Sequence, residues 1–200
     1  QPDTGTVQLR VLVGGDHSQG CFHRIAGTLA ALRLEVLAAE ISTGLDGVAI
    51  DRFHVVGMCI GGPFCMGLIQ AAPARVVSAR LFQPIGLDDN REAFYQMFDS
   101  WADELQRTSQ PAVADGDWSR FRSNMYDGDF LFNVDRDFVR ACETPLLVLA
   151  GNDLYHPSST SREVAELAPN AELIRSWKEG QDVGVAKDQV ATFLARHGPA

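Results

Sequence analysis

The sequence predicts an α/β fold, a mostly parallel sheet flanked by helices. Three observations carry that expectation. Short runs rich in β-branched and aliphatic residues recur at 7–13, 53–58, 76–82 and 145–150. Between them, apolar residues repeat at helical spacing. Strands alternating with helices build βαβ units, whose crossovers set parallel strands side by side and cover both faces of the sheet.

Taken in order, residues 7–13 (V-Q-L-R-V-L-V) are a strand ending at Gly14 and Gly15. In 22–41, Ile25, Leu29, Leu32, Val36, Leu37 and Ile41 recur at helical intervals and predict a helix, with a short strand at 34–38 as the alternative. Residues 53–58 (F-H-V-V-G-M) form the second strand, and a helix over 60–70 follows, closed by Pro73. Residues 76–82 form the third strand. Segment 86–138 contains no convincing strand, but Phe94, Tyr95, Phe98, Trp101 and Leu105 sit on one face of an amphipathic helix. The fourth strand lies at 145–150, followed by a helix at 161–167 with serines before it as caps. A short strand at 171–177 and a terminal helix at 185–196 complete the chain, with Val190, Phe193 and Leu194 on one helix face. The whole of 1–200 reads as one domain with 86–138 inserted between two strand–helix units.

Composition narrows the function classes. The net charge is −9, which repels phosphate backbones and anionic lipid, so neither nucleic acid nor a membrane is an expected partner. No apolar run approaches the ~18 residues needed to cross a bilayer. The charge is localised: 86–138 holds 12 acidic residues against five arginines, and 10 of the 17 aromatics. Cys21, Cys59, Cys65 and Cys142 show neither C-x-x-C nor zinc spacing, so no metal or other cofactor is expected. Free thiols in a reducing cytoplasm are the expected state, and no secretory leader is recognisable.

The chemistry concentrates at Gly57-Met58-Cys59-Ile60-Gly61-Gly62, which follows a buried strand and opens a helix. A sharp strand-to-helix turn needs small residues on either side of its apex, because the backbone there is strained and closely packed. Helix-start N–H groups then point toward the Cys59 side chain, and the positive helix end is expected to favour a thiolate. The Ile60 N–H is the expected oxyanion donor. The bland alternative is a small thiol buried in the core.

This G-x-C-x-G turn resembles the nucleophile elbow of the α/β-hydrolase fold family, with Cys in place of Ser. The resemblance covers most of the chain from Asp51 onward. It includes the strand leading into the elbow, Ala72-Pro73-Ala74-Arg75-Val76 after the elbow helix, and the P-L-L-V-L-A-G-N-D run ending at Asp153. It implies a hydrolase of carboxylic esters or thioesters, with Cys59 as nucleophile and Asp153 as the acid. The segment 86–138 would be a helical cap. Gly14, Gly15, Met58, Ile60, Phe98, Trp101 and Phe130 would line the site for a small-molecule substrate with an apolar acyl group.

The sequence departs from the family in two places. The family's histidine follows a glycine after the last strand, where this chain has Gly180-Gln181. Only His156, in the loop of Asp153, and His197 follow the acid, so His156 is the candidate base. The N-terminal part keeps Gly14-Gly15 but lacks the histidine that precedes such glycines in the family, and reads as shortened. His54, on the strand before the elbow, reads as structural, and His17 and His23 flank the first loop. Asp153 has an Asx-turn reading beside the catalytic one. Two further functions stay open: a catalytically impaired fold serving as a ligand- or protein-binding module, and an acyltransferase. Exposed sheet edge in a remodelled N-terminus makes a homodimer a further expectation.

Overall fold

The computed structural model describes residues 9–12, 39–42 and 53–197. Gly14, Gly15, His17, His23 and the expected helix over 22–38 lie outside the described residues. Strands β1 (Leu9–Leu12) and β2 (Ala39–Ser42) pair in parallel. The helix expected to run through Ile41 is therefore corrected at its end, where 39–42 is a strand. Ile41 fits the helical interval, but β1 supplies a backbone partner for this four-residue run, and periodicity alone cannot register such pairing.

The main sheet comprises β3 (Phe53–Met58), β4 (Val76–Phe82), β5 (Leu146–Leu149) and β6 (Ala171–Ile174), in that order and parallel throughout. Helix α1 (Gly61–Ala71) connects β3 to β4. Three helices, α2 (Arg91–Thr108), α3 (Asp115–Tyr126) and α4 (Arg136–Ala141), stand between β4 and β5. Helix α5 (Ser158–Leu167) links β5 to β6, and α6 (Asp182–His197) closes the chain. Helix α5 starts three residues earlier than expected, behind Pro157, and none of its serines caps it.

Alternation along the strands divides the core. Val55, Ala79, Leu81, Leu146 and Val148 bury against Cys65, Met66 and Ile69 of α1 and Val164 of α5. Leu147 and Leu149 pack on the opposite face with Ile174 and with Ala186 and Phe193 of α6. Both faces are covered, which is why L-L-V-L is apolar at every position instead of alternating. Each such side chain contributes about 1.5–3 kcal/mol by leaving water. Arg80, on β4 between Val56 and Leu147, is the exception. It is 1% exposed and its three guanidinium nitrogens have no hydrogen-bond partner, and burial lowers its pKa to about 10.

The segment between β4 and β5 has its own aromatic core. Phe94, Phe98 and Ala102, four residues apart on α2, bury against Ile85, Tyr126 and Phe132. Phe94 stacks on Tyr126 at 5.1 Å and meets Phe132 edge-on at 4.9 Å. Most of its charges lie outward, in pairs such as the exposed Arg120–Asp117 and the half-buried Arg122 with exposed Asp99. Exposed pairs of this kind add little stability.

Candidate active site

The turn between β3 and α1 is held by backbone contacts. Cys59 has φ +58°, a left-handed conformation that costs a non-glycine residue about 1–3 kcal/mol. Its N–H donates to the Phe82 carbonyl at 3.0 Å, and its own carbonyl accepts from Gly62 N at 3.1 Å and Ile85 N at 3.3 Å. A Cβ on Gly57 would lie 2.0 Å from the Gly61 carbonyl oxygen, and one on Gly62 would lie 2.6 Å from Pro84 Cβ. The glycines are thus required by close approach between strand, helix and the segment after β4.

The Cys59 thiol is half-buried and packs against the aromatic core of Phe94, Phe98 and Tyr126. Burial pushes its pKa up, outweighing the Ile60 N–H, which favours the thiolate, and the nearby Asp153 carboxylate pushes it up further. This corrects the expectation that the helix end favours a thiolate: desolvation of an anion at this position exceeds what one N–H returns. The neutral thiol is the resting form at pH 7.

The loop after β5 is built from side-chain hydrogen bonds. Asp153 Oδ1 accepts from Tyr155 N and His156 N, each at 3.0 Å, in an Asx turn, and lies 2.7 Å from His156 Nδ1. Burial works to raise the Asp153 pKa, but the hydrogen bonds from His156 and Tyr155 outweigh it and hold the carboxyl below its ordinary range. An ionised carboxylate can only accept, so Nδ1–H of His156 donates to Asp153. Nε2 is buried and has no hydrogen-bond partner, so it does not bond the Cys59 thiol.

Gln181, where the resemblance expects histidine, is exposed immediately before α6. His197 ends α6 with its ring 4.6 Å from that of Phe193. His54 Nδ1 lies 2.7 Å from Ser78 Oγ, as a structural histidine on the strand would. Cys65 and Cys142 are buried in the core.

A cleft of 340 Å³ opens beside Ile60, walled by Phe64, Met97, Phe98, Trp101, Phe121, Met125 and Tyr126. Among the described residues, no charged side chain lines it. Of the residues expected to line a site, Ile60, Phe98 and Trp101 line this cleft. Phe130 does not: it is 2% exposed in the main core, under the Arg136 guanidinium at 4.6 Å. The reason is local, since Phe130 and Phe132 both take positive φ in a tight turn that folds Phe130 inward. Met58 is also outside the cleft, with its side chain exposed. The sequence reading missed Met97, Phe121 and Met125. Trp118, Phe121 and Met125 recur at helical spacing on α3, so that signal was present.

A parallel sheet flanked by helices, in this order of strands, has solved counterparts. The chain has the α/β-hydrolase fold. It is similar to Rv0554 from Mycobacterium tuberculosis, at 20% identity over 73% of this chain and 66% of that one, with a TM-score of 0.51. It is also similar to a hydrolase from Pseudomonas aeruginosa PA01 (17% identity, 88% and 70% covered, TM-score 0.51). A third is the meta-cleavage product hydrolase from Pseudomonas fluorescens IP01 (18% identity, 87% and 70% covered, TM-score 0.51). The chain thus spans about two thirds of the length of these structures. No protein-family model matches the sequence, and no curated protein matches it.

Proposed function

We propose that this chain is a hydrolase of carboxylic esters or thioesters that uses Cys59 as its nucleophile. The observation that carries the reading is the left-handed backbone of Cys59 at the apex of the β3–α1 turn. Strain of this kind persists only where the surroundings enforce it, and it collects at functional positions. In this reading the turn is a nucleophile elbow, and His156 Nε2 takes the thiol proton with Asp153 fixing its tautomer. Cys59 sulfur then attacks the acyl carbonyl, the Ile60 N–H stabilises the oxyanion, and the alcohol or thiol leaves with a proton from His156. Water activated by the same imidazole releases the acid. The 86–138 segment acts as a cap whose aromatic inner wall takes an apolar acyl group and whose acidic outer face disfavours strongly anionic substrates. The solved structures named as hydrolases support the reaction class by analogy of fold alone.

One observation favours a second reading. His156 Nε2 makes no hydrogen bond, so it is not joined to the Cys59 thiol. In a binding module with this fold, the cleft would hold an apolar ligand without turnover. Assays with p-nitrophenyl esters and acyl thioesters of increasing chain length discriminate the two. Hydrolysis that disappears in Cys59→Ala supports the enzyme, and ligand binding with no turnover supports the module. Competing alcohols or amines in the same assay detect acyl transfer.

A further inference from the structure

Asn90 occupies the N-cap position of α2, where an asparagine ordinarily turns its oxygen to the N–H groups of the first helical turn. Here it makes no such bond. The side chain is 3% exposed, and its amide is directed elsewhere. Oδ1 accepts from Asp88 N at 2.9 Å, and Nδ2 donates to the Gly86 carbonyl at 3.1 Å and the Leu154 carbonyl at 2.7 Å. The last bond spans 64 residues and enters the loop between Asp153 and His156. That loop is otherwise closed on itself, with Asp153 and His156 exchanging backbone bonds. Its other ties to the 86–138 segment are the Tyr155 ring, edge-on to Phe94 at 5.3 Å, and, just beyond it, Ser159 Oγ donating to Asp88 Oδ2 at 2.6 Å.

We propose that Asn90 is a positioning residue that fixes the Asp153–His156 loop to the root of the helical segment, and so sets where the His156 imidazole stands. The inference rests on the reading of His156 as the base. The uncapped helix end supports it: an N-cap asparagine ordinarily satisfies an N–H of the first helical turn, and Asn90 gives up that stabilising bond. A buried amide must still be satisfied, and the carbonyl it finds lies in the one loop that carries the Asp–His pair. Displacing a reacting group by about 1 Å is enough to cost up to about 100-fold in rate.

The test compares Asn90→Ala and Asn90→Ser with the wild-type chain. Serine keeps an N-cap residue at the helix start but is too short to reach Leu154. Both variants should fold, with kcat for the best ester lowered about 10- to 100-fold and KM within about twofold. The Nδ1–H proton resonance of His156, recorded without substrate, should broaden or vanish as the loop loosens. Variants that fold with unchanged kcat and an unchanged His156 resonance would overturn the proposal. Global unfolding of Asn90→Ser would also overturn it, because the effect is confined to the loop. If the wild-type chain has no Cys59-dependent turnover, the functional reading fails separately, and the His156 resonance still decides whether Asn90 holds the loop.

Discussion

The turn after β3 and the loop after β5 present their chemical groups by opposite means. The first is a backbone device. Gly57 and Gly62 lie so close to the Gly61 carbonyl and to Pro84 that no side chain fits, and the resulting packing holds Cys59 at φ +58°. The second is a side-chain device, in which Asp153 gathers two N–H groups and an imidazole, and Asn90 and Phe94 hold the loop from outside. Steric enforcement is rigid and tolerates no change. A hydrogen-bonded loop is adjustable, which suits the role of base proposed for His156.

That contrast can be broken at several points. The largest effect is expected from Gly57→Ala, whose methyl would overlap the Gly61 carbonyl. Unfolding by denaturant should show a loss of about 3 kcal/mol or more, with the α1 packing displaced. Phe94→Ala comes next. It opens the aromatic core under Tyr155 and should cost about 3–5 kcal/mol if the site does not collapse. Hydrogen exchange should quicken in 86–138 and in the Asp153 loop before it does in β3–β5. Asp153→Asn should leave stability within about 1 kcal/mol, since the side chain is half exposed and Asn still accepts from the loop amides. Turnover should nevertheless fall at least about tenfold, because an amide does not hold the Nδ1–H tautomer as a carboxylate does. The smallest effect is in pH. Burial raises the Cys59 pKa, so its alkylation by iodoacetamide should rise with pH at a midpoint above that of an ordinary thiol. A midpoint below that value would show the helix end outweighing burial.

These two regions also show what the sequence makes legible. The four main-sheet strands and the turn at Cys59 were readable because their causes are local: β-branched runs, and glycines two residues either side of an apex. The Asp153–His156 pair was readable because its members are three residues apart. Asn90 was not, since its partner is 64 residues away and no local pattern marks it. Phe130 misled because an aromatic in an aromatic-rich segment looks like a cleft wall, whereas two left-handed residues turn it into the core. Arg80 is similarly silent: nothing in V-V-S-A-R-L-F separates a buried guanidinium from one at a solvent-facing edge.

The strained Cys59 is proposed to perform covalent chemistry. Mixing the chain with a slowly hydrolysed activated ester, quenching in acid and mapping peptides by mass spectrometry tests it most directly. One acyl group is expected on Cys59, formed at the rate of the product burst and absent in Cys59→Ala. Steady hydrolysis with no adduct on Cys59, or a burst that survives Cys59→Ala, would contradict it.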